Sequence, residues 1–173
     1  MLLTSSAQRS NNDDTEIHKV RCGLCGTSPI KRDRYKCLNC EGLDMCGRCF
    51  ARRKESGHHK SGHAFAHFKS PGELFDRAVN DNEVTFSNLK TLYANEIHES
   101  INCNGCNRGL IKGLRFKCYS CSNYNLCQQC VDSGVTTQSH KLSHSLIVVM
   151  RRTVLQIPVE DIQISNQCGR GAF

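Results

Sequence analysis

Apolar positions along the 173-residue chain fall in short runs, broken every few residues by Cys, Gly, Asn or a charge. Two segments, Arg34-Tyr35-Lys36 and Arg115-Phe116-Lys117, set an aromatic residue beside a cysteine and predict short antiparallel strands. Leu146-Ile147-Val148-Val149-Met150 has the composition of a closing strand. Helical pattern is scarce. Phe50-Ala51-Arg52-Arg53-Lys54-Glu55 predicts one or two turns ended by Gly57, and Cys130-Val131-Asp132-Ser133 before Gly134 is the shorter counterpart. In the stretch 69–97, Ser70-Pro71-Gly72-Glu73 has capping-box spacing with Pro at the first helical position, and Leu74, Phe75, Ala78 and Val79 follow at helical intervals. A second helical stretch is predicted through Leu89, Leu92 and Ile97. Residues 1–16 read as a disordered segment and 150–173 as a tail.

So sparse a pattern does not make a core by itself. Only 38% of residues are hydrophobic, Trp is absent, and modules of about 50 residues bury too little surface to fold on apolar contacts alone. Cysteine changes the picture. There are 13, and 12 of them form six Cys-x-x-Cys pairs, a spacing that suits either disulfides or metal. The opening MLLTSSAQRSNNDD has no apolar run long enough for a signal peptide, and no later segment is apolar and long enough to span a membrane. A reducing compartment, cytoplasmic or nuclear, is therefore expected, and with it metal binding rather than disulfides. Structural zinc supplies on the order of 10 kcal/mol per site in apparent terms, and that energy is folding energy.

The donors fall in two copies with a constant offset. Cys22, Cys25, Cys37, Cys40, Cys46, Cys49, His59 and His63 recur 81 residues later as Cys103, Cys106, Cys118, Cys121, Cys127, Cys130, His140 and His144. Ile30, Lys31, Arg34 and Lys36 recur as Ile111, Lys112, Arg115 and Lys117, so the chain contains an internal duplication. Eight donors per copy make two tetrahedral sites with no open position, hence four Zn²⁺ per chain in structural rather than catalytic roles.

The order of four consecutive pairs, with RYKCLNCEGLDMCGRC and RFKCYSCSNYNLCQQC around the middle of each copy, resembles the ZZ-type zinc finger. The resemblance implies a small zinc-stabilised α+β fold, two cross-braced fingers at 17–68 and 98–149 with short strands and one short helix each, joined by the partly helical linker 69–97. Cross-bracing would place Cys22, Cys25, Cys46 and Cys49 on one ion and Cys37, Cys40, His59 and His63 on the other. In the second copy it would group Cys103, Cys106, Cys127 and Cys130, then Cys118, Cys121, His140 and His144. His18 and His98, just before each first knuckle, stand where such fingers often carry a His for packing or for bonding to a ligand.

The resemblance also implies a protein-interaction adaptor. Several ZZ fingers hold a free protein N-terminus with carboxylates at three positions, which here are Gly23, Gly42 and Asp44 in the first copy and Asn104, Asn123 and Asn125 in the second. Asp44, with Glu41 beside it, is thus the candidate peptide-binding site, suited to a terminus whose first side chain is uncharged. An alternative role for Asp44 is to cap a turn beside Cys46. Two other functional classes bear on such a chain. Lys31, Arg32, Arg34, Lys36, Arg52, Arg53 and Lys54 could form a basic face for nucleic acid or chromatin. However, the formal charge of +7 falls to about +3 once twelve thiolates and four Zn²⁺ are counted, and few aromatics are available to stack bases. A RING-like ubiquitin-ligase component would need a Cys-His combination in the middle ligands, which are here all Cys-x-x-Cys. No arrangement for nucleophilic or acid–base catalysis is present, so an enzyme is not expected. Two smaller features complete the reading. Phe86-Ser87-Asn88-Leu89, with Asp81 and Glu83 upstream, resembles the short motif that binds ubiquitin-like autophagy modifiers, but docking of these apolar residues on a finger is the favoured reading. Cys168 reads as a free thiol.

Overall fold

A computed structural model describes residues 17–69 and 84–149. The helix expected after Ser70, the acidic residues Asp81 and Glu83, and the tail with Cys168 lie outside these residues.

The first finger opens with a two-stranded hairpin, β1 (Ile17–His18) on β2 (Ile30–Lys31), in which His18 pairs with Ile30. β3 (Arg34–Cys37), β4 (Asp44–Cys46), α1 (Gly47–Ala51) and β5 (Ala64–Phe68) follow. After α2 (Phe86–Leu92) the second finger repeats the order: β6 (Ile97–His98), β7 (Ile111–Lys112), β8 (Arg115–Cys118), β9 (Asn125–Cys127), α3 (Gln128–Asp132) and β10 (Leu146–Val149). The strands expected at 34–36, 115–117 and 146–149 are all present.

The two fingers are not separate bodies on a string. Six strands form one sheet in the order β4-β3-β5-β10-β8-β9, antiparallel within each finger and parallel where β5 meets β10, with Leu146 opposite Ala64 and Ile147 opposite Phe65. Equivalent strands sit at equal distances from the middle, so an approximate two-fold rotation about the strand direction relates the fingers. Such a rotation turns the sheet over, and strand alternation then places the two cores on opposite faces. On one face Phe65 packs with Tyr35, Met45 and Phe50, and Ile147 of the second finger joins them. On the other, Ala64, Ala66 and Phe68 pack with Phe116, Leu126, Leu146 and Val148. Each finger therefore completes its core with residues of the other, which offsets the shortage of apolar surface in a 50-residue module.

The junction is tightened by polar contacts and by one close approach. Leu146 N–H donates to His63 O at 3.2 Å, Ser61 Oγ donates to Ser143 O at 3.2 Å, and Ser145 Oγ donates to Ser61 O. Arg53 Nη2 donates to Ser120 Oγ at 2.6 Å, and the Phe50 and Tyr119 rings meet edge to face at 4.9 Å. Gly62 lies so near the Leu142 backbone that an added Cβ would overlap its carbonyl oxygen and stand 2.8 Å from its carbonyl carbon. Only glycine fits there.

Two helical expectations are corrected. α1 begins at Gly47 rather than Phe50, with Cys46 as its N-cap and Cys49 in its first turn, an arrangement that brings both thiols into one donor group. It also stops well before Gly57. Arg53 adopts φ 49°, Arg53 N–H returns to Phe50 O at 2.9 Å and Lys54 N–H to Cys49 O at 3.1 Å, the Schellman pattern of a helix end. In the second finger Gly134, with φ 60°, takes the equivalent place, so Arg53 stands where a glycine is favoured. In the connector, Leu89 is fully buried in α2, but Leu92 is 53% exposed and Ile97 belongs to β6.

α2 also decides the role of Phe86-Ser87-Asn88-Leu89. Thr85 caps the helix by accepting from Asn88 N–H at 3.2 Å, Leu89 is buried, and Phe86 stacks on Phe116 at 5.7 Å with Lys90 Nζ over its ring. Lys90 also pairs with Asp132 at 3.2 Å, pinning α2 to the second finger. The motif is spent on packing.

Candidate metal centres and the surface beside them

The sixteen predicted donors gather in four groups: Cys22, Cys25, Cys46 and Cys49; Cys37, Cys40, His59 and His63; Cys103, Cys106, Cys127 and Cys130; Cys118, Cys121, His140 and His144. Within each, the four donor atoms lie within 4.8 Å of one another. The first and third knuckles thus share one site while the second knuckle and the His pair form the other, the interleaving of a cross-brace. β3 ends in Cys37 and β4 in Cys46, so the hairpin that pairs these strands carries ligands of both sites and fixes their separation.

The spacings fit zinc. A tetrahedral ion with Zn–S near 2.3 Å and Zn–N near 2.05 Å requires S···S edges of about 3.8 Å and S···N edges of about 3.5 Å. Cys25 and Cys46 sulfurs are 3.7 Å apart, Cys103 and Cys130 3.5 Å, and Cys106 and Cys127 4.0 Å. Cys40 Sγ lies 3.6 Å from His59 Nδ1 and 3.4 Å from His63 Nδ1, and Cys121 Sγ 3.3 Å from His144 Nδ1. None of these sulfur pairs approaches the 2.05 Å of a disulfide. Burial lowers the affinity of His59, His63 and His140 for a proton, leaving the neutral imidazole that ligates metal. Burial also pushes the Cys37 thiol up to about 12, so a cation is what makes its thiolate stable at neutral pH. Backbone N–H groups support the sulfurs: Cys127 N–H donates to Cys103 Sγ and Cys121 N–H to Cys118 Sγ, both at 3.3 Å. These are four zinc sites, each filled by four protein donors. His18 and His98 are buried outside them, and His98 Nε2 lies 3.1 Å from Gly113 O, joining the residue after β7 to β6.

The sequence of each half matches the zinc finger, ZZ type, at residues 16–61 and 97–142, together more than half of the chain. The chain belongs to the ZZ family. Its joining strands β5 and β10 lie just beyond each matched segment. Human E3 ubiquitin-protein ligase KCMF1 is 38% identical over 55 residues, 32% of this chain and 14% of that protein. The autophagy receptor Nbr1 of Schizosaccharomyces pombe is 29% identical over 143 residues, 75% of this chain and 30% of Nbr1. Among solved structures, the HERC2 ZZ domain in complex with the SUMO1 tail is 32% identical, covering 33% of this chain and 90% of that one with a TM-score of 0.27. The chain spans less than a third of the length of either curated relative.

The ZZ surface holds what the metal does not use. Asp44, on the outer strand β4, is 8% exposed, and its Oδ1 accepts from Arg34 Nε at 2.7 Å. Arg34 in turn lies over Phe68, 4.9 Å from the ring centroid. Glu41 is exposed and lines a cavity of about 450 Å³ with Lys36, Gly42, Val84 and Thr85. Asp44 does not line that cavity, so the two candidate residues do not converge on one pocket. At Gly23, whose N–H donates to Asp44 O at 2.9 Å, a Cβ would meet Leu43 Cδ1 at 2.6 Å. The basic face loses its centre, because Arg34 and Lys36 are buried at 3% and 7% exposure. Lys54 Nζ donates to Leu24 O at 2.6 Å, and Arg53 is engaged at the finger junction. Sequence reading missed the Arg34–Asp44 pair; its signal was the recurrence of the same spacing as Arg115 and Asn125.

Proposed function

We propose that this tandem ZZ unit is a non-catalytic protein-interaction adaptor whose first finger takes up the free N-terminus of a partner chain beside Asp44 and Glu41. The closure of the metal sites carries the reading: with four protein donors on each zinc, no position is left for a reacting water, and recognition falls to the surface. Asp44 supplies a carboxylate on an outer strand, and Glu41, three residues earlier and exposed, a second. Because Arg34 offsets part of the Asp44 charge, the site suits a singly charged terminus with an uncharged first side chain. The likeness to KCMF1 is confined to 55 residues and brings no ligase chemistry with it. The likeness to an autophagy receptor over both fingers supports recruitment as the setting.

The test is binding of a peptide panel that varies the first residue, free against acetylated, at two salt concentrations. Free termini should bind, acetylation should abolish binding, and Asp44→Asn should weaken it at least fivefold. The second finger shows that Asn satisfies the same arginine, since Arg115 Nε donates to Asn125 Oδ1 at 2.9 Å, so this variant isolates charge from folding. Equal binding of free and acetylated peptides would remove the site from the first finger.

A further inference from the structure

The cleft beside β9 in the second finger occupies the place where the family's carboxylates would stand, yet its chemistry is reversed. A cavity of about 310 Å³ is lined by Asn104, Asn123, Asn125, Arg115 and Lys117, with no acidic residue among its lining side chains. The orientation of two of these amides is fixed by partners that can only donate. Asn104 Oδ1 accepts from the backbone N–H of Asn125 at 2.7 Å, and Asn125 Oδ1 accepts from Arg115 Nε at 2.9 Å. Both amide oxygens are thereby turned into the protein. Asn104, which is exposed, presents its NH₂ group to the cleft, and Lys117 adds a positive charge from an exposed position on β8. The equivalent Lys36 of the first finger is buried. Ser100, Asn102 and Asn123 complete the lining with neutral groups that donate and accept, so every formal charge on it is positive, and such a lining disfavours an ammonium group and attracts a carboxylate.

We propose that this second cleft binds the acidic side chains of a partner polypeptide, so that the two fingers read opposite charges. The proposal rests on the interaction reading above but not on its first-finger site. It is tested with the full chain and an Asp/Glu-rich peptide, acetylated and amidated so that neither end is charged, against its Asn/Gln isostere. The acidic peptide should bind at least tenfold more tightly, and the difference should shrink as salt is added. Asn104→Asp keeps the acceptor for Asn125 N–H while replacing the NH₂ group by a charge, and should reduce binding at least tenfold with zinc content unchanged. Lys117→Gln should reduce it about threefold to fivefold. Equal affinity for acid and isostere, or full binding by Asn104→Asp, would overturn the proposal. Binding that requires a free C-terminus would overturn it too, assigning the cleft to chain ends. Because the probe has no free N-terminus and both variants lie in the second finger, failure here leaves the first-finger reading standing, and the reverse holds as well.

Discussion

Gly62→Ala is the sharpest probe of the joined sheet. The new methyl would overlap the Leu142 carbonyl oxygen, and the obstacle is backbone on both sides, so neither partner can swing away. β5 and β10 must part or shift. The side-chain and backbone bonds at stake are Leu146 N–H to His63 O, Ser61 Oγ to Ser143 O and Ser145 Oγ to Ser61 O. At about 1 kcal/mol each they amount to about 3 kcal/mol, before any loss of packing by Ile147 and Leu38 in the opposite finger's core. A loss of that size makes local opening roughly 150-fold more frequent. Hydrogen exchange followed by mass spectrometry on the zinc-loaded chain measures it directly: peptides covering Ala64–Phe68 and Leu146–Val149 should lose protection by about that factor. Peptides covering the outer strands β4 and β9 should change far less. Unaltered protection across β5 and β10 would refute the junction as described, and equal loss everywhere would mean that the substitution acts through His63 and its zinc instead.

Cys37→Ser should lower the zinc content from four ions per chain to three, because its site shares no donor with the others; atomic absorption on the purified chain would detect the loss, and four retained ions would refute the ligand set. The second finger should keep both ions while the Leu146 amide exchanges faster, since its partner strand belongs to the damaged half. Asp44→Ala removes the charge-assisted bond to Arg34 Nε and should cost about 1.5–3 kcal/mol in denaturant unfolding, whereas Asp44→Asn should cost only about 1 kcal/mol. Arg53→Gly relieves a left-handed backbone at the end of α1 at the expense of one exposed hydrogen bond to Ser120, and should raise stability by about 0.5 kcal/mol in thermal unfolding.

The donors were legible because zinc coordination is written in residue identity and spacing, here two sets of eight at a fixed offset, while their crossed pairing was implied by the resemblance to the ZZ family and not by spacing. The strands beside the knuckles were legible for the same reason, being held by ligands at their ends. Most of what escaped at the junction depends on the other finger. Nothing in Ser61-Gly62-His63 announces that Leu142 lies against it, and the short run at 146–149 gives no hint that it pairs parallel with 64–68. Arg34 and Lys36 read as surface cations because charged residues are seldom fully buried unless paired, and the pair lay ten residues away across a hairpin. The stop of α1 escaped because arginine occupies a position where glycine is the usual marker.

The reversed symmetry of the sheet has a consequence for valency. The outer strands β4 and β9, which carry Asp44 and Asn125, are separated by five strand spacings, about 24 Å, on opposite edges and with opposite facing. One short peptide would therefore not reach both proposed sites, whereas two segments of a partner set at that distance would. With the spacing held by a hydrogen-bonded sheet rather than a flexible tether, the second engagement carries little entropic penalty where the geometry matches and brings no gain where it does not. With both proposed sites in use, this spacing would favour partners that display two suitably placed segments, independently of how tightly either site binds.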